Sequence, residues 1–181
     1  MRRLLYTTPR LEVHSVADGD EEAFLAVYGD ADAMRWVDDG RPITPDECAQ
    51  WVRVTRANYI ERGYGMSRLE LTGSPDGAQL VGFCGLVHPN DQAEVEVKYA
   101  LLRQHWGRGL ATEALGGMLK YGERAFEIRE VIATSAPENR ASHRVLEKNG
   151  FVPLEIRIGE VGDRTQVHRW RTPRRAPEDG A

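Results

Sequence analysis

The stretch Gln104-His105-Trp106-Gly107-Arg108-Gly109-Leu110-Ala111-Thr112-Glu113-Ala114-Leu115 constrains this chain more than any other. It follows an alternating run, Ala93 to Leu102, and opens an amphipathic one. The pattern predicts a strand, a loop with two glycines, and a helix. Helix N-termini carry unpaired backbone N–H groups and a partial positive charge. Gly107 and Gly109 have no Cβ, so a ligand can come close to the main chain there. Together these features suit a phosphate or pyrophosphate. The alternative is an ordinary strand–turn–helix corner whose glycines serve geometry alone.

Two familiar anion loops do not fit. A P-loop needs G-x-x-x-x-G-K-[ST], and the chain holds no Gly-Lys pair. A dinucleotide fingerprint needs G-x-G-x-x-G directly after a strand. Gly107 and Gly109 fit that spacing, but Thr112 stands where the third glycine belongs, and Arg103 to Trp106 separate the strand from the first glycine. The acid expected about 20 residues on would be Glu127 or Glu130, both placed before the next strand rather than at its end. Q-x-x-G-x-G is what remains.

The rest of the chain narrows the class. Its 181 residues fit one domain with a real core. A formal charge of −4 disfavours wholesale nucleic-acid binding. No apolar run reaches the length of a membrane span, and the apolar part of Met1 to Thr7 is too short for a signal peptide. Cys48 and Cys84 lack metal-ligand spacing, and His105, His143 and His168 are scattered, so no metal is expected. Reduced thiols suit a cytoplasmic protein. Cys84, inside the apolar run Val81 to Val87, reads as a core residue rather than a nucleophile.

Periodicity predicts the elements. Arg10 to Val16 is a strand and Asp18 to Tyr28 a helix, with a short helical turn over Ala31 to Trp36. Thr44-Pro45-Asp46-Glu47 starts a helix that runs to about Arg62, with Thr44 as N-cap and Glu47 at the capping-box position. Met66 to Leu71 and Gln79 to Val87 form a hairpin around the turn cluster Gly73 to Gly77. The strand Ala93 to Leu102 leads into the glycine loop. Its helix carries Leu110, Ala114, Leu115, Met118, Leu119 and Phe126 in one stripe. A strand at Glu130 to Ala136 follows, then a helix from Asn139 to Asn149 with Gly150 as its stop. Strands Phe151 to Ile158 and Arg164 to Arg171 close the chain. The expected fold is α/β with a mixed sheet in one domain over residues 1–171. Residues 172–181 carry two prolines and no apolar periodicity, and are expected to be a disordered tail.

Two motifs in this order carry a resemblance. Gln104-x-x-Gly107-x-Gly109 resembles the acyl-CoA pyrophosphate loop of the GNAT superfamily of N-acetyltransferases. The pattern Asn139-x-x-Ser142-x-x-Val145-Leu146-Glu147-Lys148-x-Gly150-Phe151 resembles the RimJ/RimL subgroup, which acetylates protein N-termini. The wording Trp106 to Leu115 and the opening Pro9 to Val13 fit the same subgroup, so the resemblance covers about residues 8 to 170. It implies a mostly antiparallel, centrally splayed sheet flanked by helices, with acetyl-CoA as co-substrate, no metal, and an amine as acceptor.

The chemistry then has three needs: a neutral amine, a polarised thioester carbonyl, and a departing CoA thiolate. An α-amine titrates near 7.7–8.0 against about 10.4 for lysine, so a carboxylate or water can deprotonate an N-terminus with modest help. The strand before the loop places Glu94, Glu96 and Lys98 on one face and Val95, Val97, Tyr99 and Leu101 on the other; a charged outer face is the plainer reading of that pattern. The resemblance assigns Glu96, three residues before Tyr99, to orient the amine and accept its proton. It places Ser142 near the CoA sulfur. Asn139 caps its helix or meets the pantetheine amides. Many superfamily members carry a tyrosine acid four residues after the Ser142 position, and here Leu146 stands there. Backbone N–H groups near Ala100, Leu101 and Leu102 would polarise the carbonyl. Those of Gln104, Gly107, Arg108, Gly109, Leu110 and Ala111 would take the pyrophosphate, with charge from Arg103 and Arg108. Trp36 and Tyr64 fall where the superfamily builds its substrate wall, and Asp38-Asp39 either attract a cationic acceptor or form an exposed turn.

Two acceptors compete: a protein N-terminus, and a small amine such as an aminoglycoside, polyamine or amino acid. A non-catalytic acyl-CoA sensor is the alternative class. An exposed final strand could pair across a homodimer.

Overall fold

Eight strands and five helices are laid down in the computed structural model, which describes residues 2–36, 40–73, 78–159, 162 and 164–173. In chain order they are β1 (Leu4–Thr7), β2 (Leu11–Ser15), α1 (Glu21–Tyr28), α2 (Ala31–Met34), α3 (Pro45–Glu61), β3 (Met66–Leu71), β4 (Gln79–Val87), β5 (Glu96–Leu101), α4 (Leu110–Phe126), β6 (Glu130–Ser135), α5 (Arg140–Lys148), β7 (Val152–Ile158) and β8 (Arg164–Arg171). The strands form one sheet in the order β1-β2-β3-β4-β5-β6-β8-β7. Every neighbouring pair is antiparallel except β5 and β6.

Alternation along the strands sends apolar side chains to both faces. On one face Leu11, Val13, Leu69, Val97 and Leu101 pack under α4 and α5, meeting Leu110, Leu115, Met118 and Leu146. On the other, Met66 and Phe83 pack under α1 and α3, meeting Phe24, Val27, Cys48 and Val52. Thr44 starts α3 as its residue types dictate: its hydroxyl accepts from Glu47 N–H while the Glu47 carboxylate accepts from Thr44 N–H. The expected α4 stripe is buried from Leu110 to Leu119, and Phe126 is half-buried against Tyr64 and Tyr121.

The structure corrects three expectations. Leu4–Thr7 is a strand, paired with β2, where a basic and then apolar start gave no such signal. The strand expected from Ala93 begins at Glu96, because the chain, leaving the 3-10 turn at Pro89–Asp91, bends at Ala93 and Glu94 before it extends. The final strand is not an exposed edge. β8 lies between β6 and β7; the edge strands are β1 and β7, and β7 is exposed along its whole length. The turn at 74–77, Asp38-Asp39 and residues 174–181 of the expected tail lie outside the described residues.

What positions the site is the contrast between the two sides of β5. Toward β4 it holds six registered pairs, from Gly82↔Leu101 to Val87↔Glu96. Toward β6 it holds one, Glu96↔Ile132, with Ile132 N–H donating to Val95 O at 2.8 Å. Beyond that point the two parallel strands part, and α4 and α5 begin at the wide end.

Candidate active site

Leu102 N–H donates to Val81 O on the β4 side at 2.9 Å. Counting back along the strand, the backbone groups of Val97, Tyr99 and Leu101 turn toward β6, where pairing has stopped. Part of this edge is already used: Trp106 Nε1 donates to Leu101 O at 2.7 Å. The cleft that enters the parted strands has a volume of about 1630 Å³. It runs from the α1 and α3 side, past Lys98, Tyr99, Ala100 and Leu101, to the start of α4 and of α5.

The α4 end is built for an anion. Gly107 and Gly109 have φ of 70° and 76°, left-handed values that side-chain-bearing residues rarely adopt. Gly109 is the N-cap of α4, with no side-chain cap on the first turn's N–H groups. Gly107, Gly109, Leu110 and Ala111 line the cleft, whereas Gln104 and Arg108 are exposed and stand outside its wall.

The loop is braced from beneath. Glu113 in the first turn of α4 accepts from Thr8 Oγ1 at 2.6 Å, Arg10 N–H at 2.8 Å and Arg10 Nε at 2.6 Å, while Arg10 Nη1 donates to Arg108 O at 2.9 Å. Desolvation pushes the Glu113 carboxyl up, and the bonds from Thr8 and Arg10 outweigh it, so the group sits below its ordinary value. His105 is buried under the loop, with Nε2 3.1 Å from Leu80 O and Nδ1 3.1 Å from Arg108 Nη1. Those partners fit a neutral ring with Nε2 protonated. Burial lowers its pKa, the Leu80 bond opposes this in part, and the Arg108 charge adds a smaller lowering.

Glu96 is buried, not part of a charged outer face. Its Oε1 is 2.6 Å from Lys98 Nζ and accepts from Thr134 Oγ1, and its Oε2 accepts from Gln92 Nε2 at 3.1 Å. Lys98 Nζ also donates to Thr134 Oγ1 at 3.0 Å. Lys98 and Thr134 line the cleft and Glu96 stands behind them, whereas Glu94 is exposed beside Arg157. An ionised carboxylate removed from water needs such partners.

Ser142 lies on the other face of β5. Asn139 caps α5, its Oδ1 accepting from Ser142 N–H at 3.1 Å. Ser142 Oγ is 2.8 Å from the phenol of Tyr99, and all three residues line the cleft. Leu146 points into the core. The structure therefore brings Ser142, Asn139 and the glycine loop to one end of the cleft, and sets Glu96 across the strand from Ser142.

Sequence reasoning missed Tyr99, Lys98 and Thr134 as members of this site. Strand alternation alone puts Tyr99 on the α5 face, but its meeting with Ser142 spans 43 residues of chain. On the acceptor side Trp36 lines the cleft with Arg35 stacked 4.9 Å from its ring. Tyr64 does not line it. It reaches the wall through His88, 2.9 Å from its hydroxyl, and packs on Phe126. Leu102 packs toward the α1 and α3 core. Cys84 is fully buried and its thiol is pushed up to about 12 by desolvation, so it offers no thiolate. Among the described residues one grouping could hold a metal ion, Glu12, His14 and Glu70; it stands away from this cleft, with Glu70 bound to Arg68 Nε at 2.6 Å.

A fold with strands parted at its one parallel pair can be compared with known proteins. The acetyltransferase (GNAT) domain family matches residues 10–152. The chain belongs to the GNAT acetyltransferase family. It is 32% identical over 150 residues to YkkB of Bacillus subtilis (strain 168), described as uncharacterized, covering 80% of this chain and 83% of that one. Its fold is shared with the Salmonella typhimurium acetyltransferase that modifies the N-terminal serine of ribosomal protein L7/L12, at a TM-score of 0.75 and 16% identity over 94% of this chain and 100% of that one. It is shared also with spermidine N-acetyltransferase from Vibrio cholerae, solved with CoA and spermine, at 0.74 and 15% over 91% and 96%. This GNAT protein is thus an acyltransferase of the N-acetyltransferase type. Among the described residues, no helix is long and apolar enough to cross a membrane.

Proposed function

We propose that the protein transfers an acetyl group from acetyl-CoA to a primary amine by direct attack in a ternary complex. The observation that carries this is the parting of β5 from β6 after Glu96, with two helix N-termini at the wide end. Acetyl-CoA fits what lies there. The open turns of Gly107 to Ala111 and the side chains of Arg103, Arg144 and Lys148 suit its phosphates. The free backbone edge of Val97, Tyr99 and Leu101 suits its amide-bearing arm and can donate to the thioester carbonyl. The amine approaches from the α1 and α3 side. Glu96 takes its surplus proton through water and the Thr134 and Lys98 contacts hold it in place. Ser142 meets the departing sulfur.

An acceptor that presents an α-amine, as a protein N-terminus does, suits this cleft better than a polycation. Among the described residues lining it, Asp32 is the one carboxylate, and Arg103 already binds it at 2.5 Å. A polyamine or aminoglycoside would ask for several free acids. Trp36, Trp51 and Val54 offer an apolar wall instead. Two unpaired buried cysteines suit a cytoplasmic setting, and a homodimer would pair through the free edge of β7.

The test is CoA thiol release from acetyl-CoA across peptides with varied N-termini, free lysine, polyamines and aminoglycosides, with Glu96→Gln run in parallel. Turnover with peptides that collapses in Glu96→Gln supports the whole reading. Turnover with polyamines alone overturns the acceptor assignment. Equal turnover in Glu96→Gln removes Glu96 from the chemistry, and acetyl-CoA binding without turnover on any amine favours a sensor.

A further inference from the structure

Leu146 leaves the α5 position of the family's usual tyrosine without a phenol, yet a phenol is present. It comes from β5. Tyr99 Oη lies 2.8 Å from Ser142 Oγ, with the Ser142 carbonyl oxygen farther off at 3.4 Å, and both side chains face the cleft. Either oxygen could give the proton in such a pair, so the direction must be argued from chemistry. Burial drives the Tyr99 phenol well above its ordinary value, against the Ser142 hydrogen bond, which lowers it. A phenol so placed keeps its proton at any working pH. Its role is then that of a hydrogen-bond donor.

A phenol that never ionises can still direct its neighbour. A serine hydroxyl has one proton to give and accepts through its lone pairs. If Tyr99 donates to Ser142 Oγ, the serine proton is free to point elsewhere. The Ser142 backbone N–H is already taken by Asn139 Oδ1 at 3.1 Å, which fixes the residue at the first turn of α5. Ser142 lines the cleft, so its hydroxyl proton is free to turn into it.

We propose that Tyr99 is a positioning residue for the leaving group: its phenol donates to Ser142 Oγ and turns the serine proton toward the departing CoA sulfur. In the step, the amine nitrogen forms its bond to the acetyl carbon and the carbon–sulfur bond breaks. The electron pair goes to sulfur, where the Ser142 O–H meets it, and the surplus amine proton leaves toward Glu96. CoA departs as the thiolate and is protonated in bulk water; neither hydroxyl changes its proton count. The inference rests on the placement of Ser142 beside the sulfur.

The thiol of bound CoA reports this without any acceptor. Thiolate ultraviolet absorbance is titrated for CoA bound to wild type, Tyr99→Phe, Ser142→Ala and the double variant, with desulfo-CoA as blank. Donors aimed at sulfur favour the thiolate, so the bound thiol should ionise about tenfold more readily in wild type than in either single variant. The double variant should match Ser142→Ala, because the phenol acts through the serine. In turnover, Tyr99→Phe should lower kcat about tenfold with KM for acetyl-CoA unchanged. A bound thiol that titrates alike in wild type and Tyr99→Phe overturns the inference, as do independent, additive effects of the two substitutions. If Ser142→Ala shifts the titration and Tyr99→Phe does not, only the role of Tyr99 falls. If neither does, the placement of Ser142 beside sulfur falls with it. Tyr99→Phe removes one oxygen and keeps the ring, and an unchanged thermal midpoint for CoA-bound protein separates loss of the hydrogen bond from loss of fold.

Discussion

The two flanks of β5 are made from the same six residues and behave oppositely. Against β4 the strand is paired along its whole length. A Cβ on Gly82 would land on Ala100 O and 2.7 Å from Leu101 Cα, so there is no slack. Against β6 it is paired once and then left open. Nothing in the local sequence of β5 distinguishes its two sides. The difference lies in the partners: β4 runs antiparallel through it, whereas β6 arrives parallel and separates. A strand's residues decide that it is a strand, and its neighbours decide which edge is scaffold and which is binding surface.

The sharpest way to test that division is chemical. Glu96→Gln keeps the size of the side chain but removes the carboxylate proposed as the base, and one of its two acceptor oxygens with it. It should lower kcat by roughly 10²–10⁴-fold while acetyl-CoA affinity by calorimetry stays put; an affinity loss of similar size would merge the donor and acceptor sides. Next, Gly82→Ala attacks the closed flank. It should cost about 2–4 kcal/mol in denaturant unfolding, and a loss under about 0.5 kcal/mol would show that flank to be as yielding as the other. Glu113→Ala cuts the brace between the β1–β2 turn and the glycine loop, where Arg10 is half exposed. We expect a loss of about 1–2 kcal/mol in stability and a KM for acetyl-CoA raised several-fold, with kcat kept.

The smallest effect is one of pH. His105 is held neutral in the fold, with its pKa lowered chiefly by burial. The unfolded chain takes up a proton below about 6.5. The folded one resists, so this contribution is complete above that pH and is lost as pH falls from there toward the depressed folded value. Unfolding midpoints between pH 7.5 and 5.5 should show a drop of at most about 1 kcal/mol from this group, flattened in His105→Gln; an unflattened slope assigns it elsewhere.

Much of this was legible in the chain. Thr44 and Glu47 announce α3, Gly107 and Gly109 announce the loop, and Asn139 announces α5, because caps and left-handed turns are local chemistry. β1 was not legible, since four residues carry too little pattern and depend on β2 for pairing. The burial of Glu96 was hidden for a similar reason. Alternation puts it on a face with Lys98, but Thr134, 38 residues later, is what closes over it. The pairing of Tyr99 with Ser142 likewise required knowing that α5 crosses that face of β5.

The place of β8 has a consequence for how the protein is made. β8 follows β7 in the chain, yet it is not laid on the outside of the sheet but inserted between β6 and β7. A nascent chain that has exposed everything up to Ile158 still presents β6 with an unmet edge and β7 with nothing to hold. Unmet strand edges invite pairing with other chains. The sheet that borders the cleft is therefore continuous only once residues 164–171 have emerged and paired. A stalled or clipped chain ending before Arg164 should be an aggregation hazard rather than a weak enzyme.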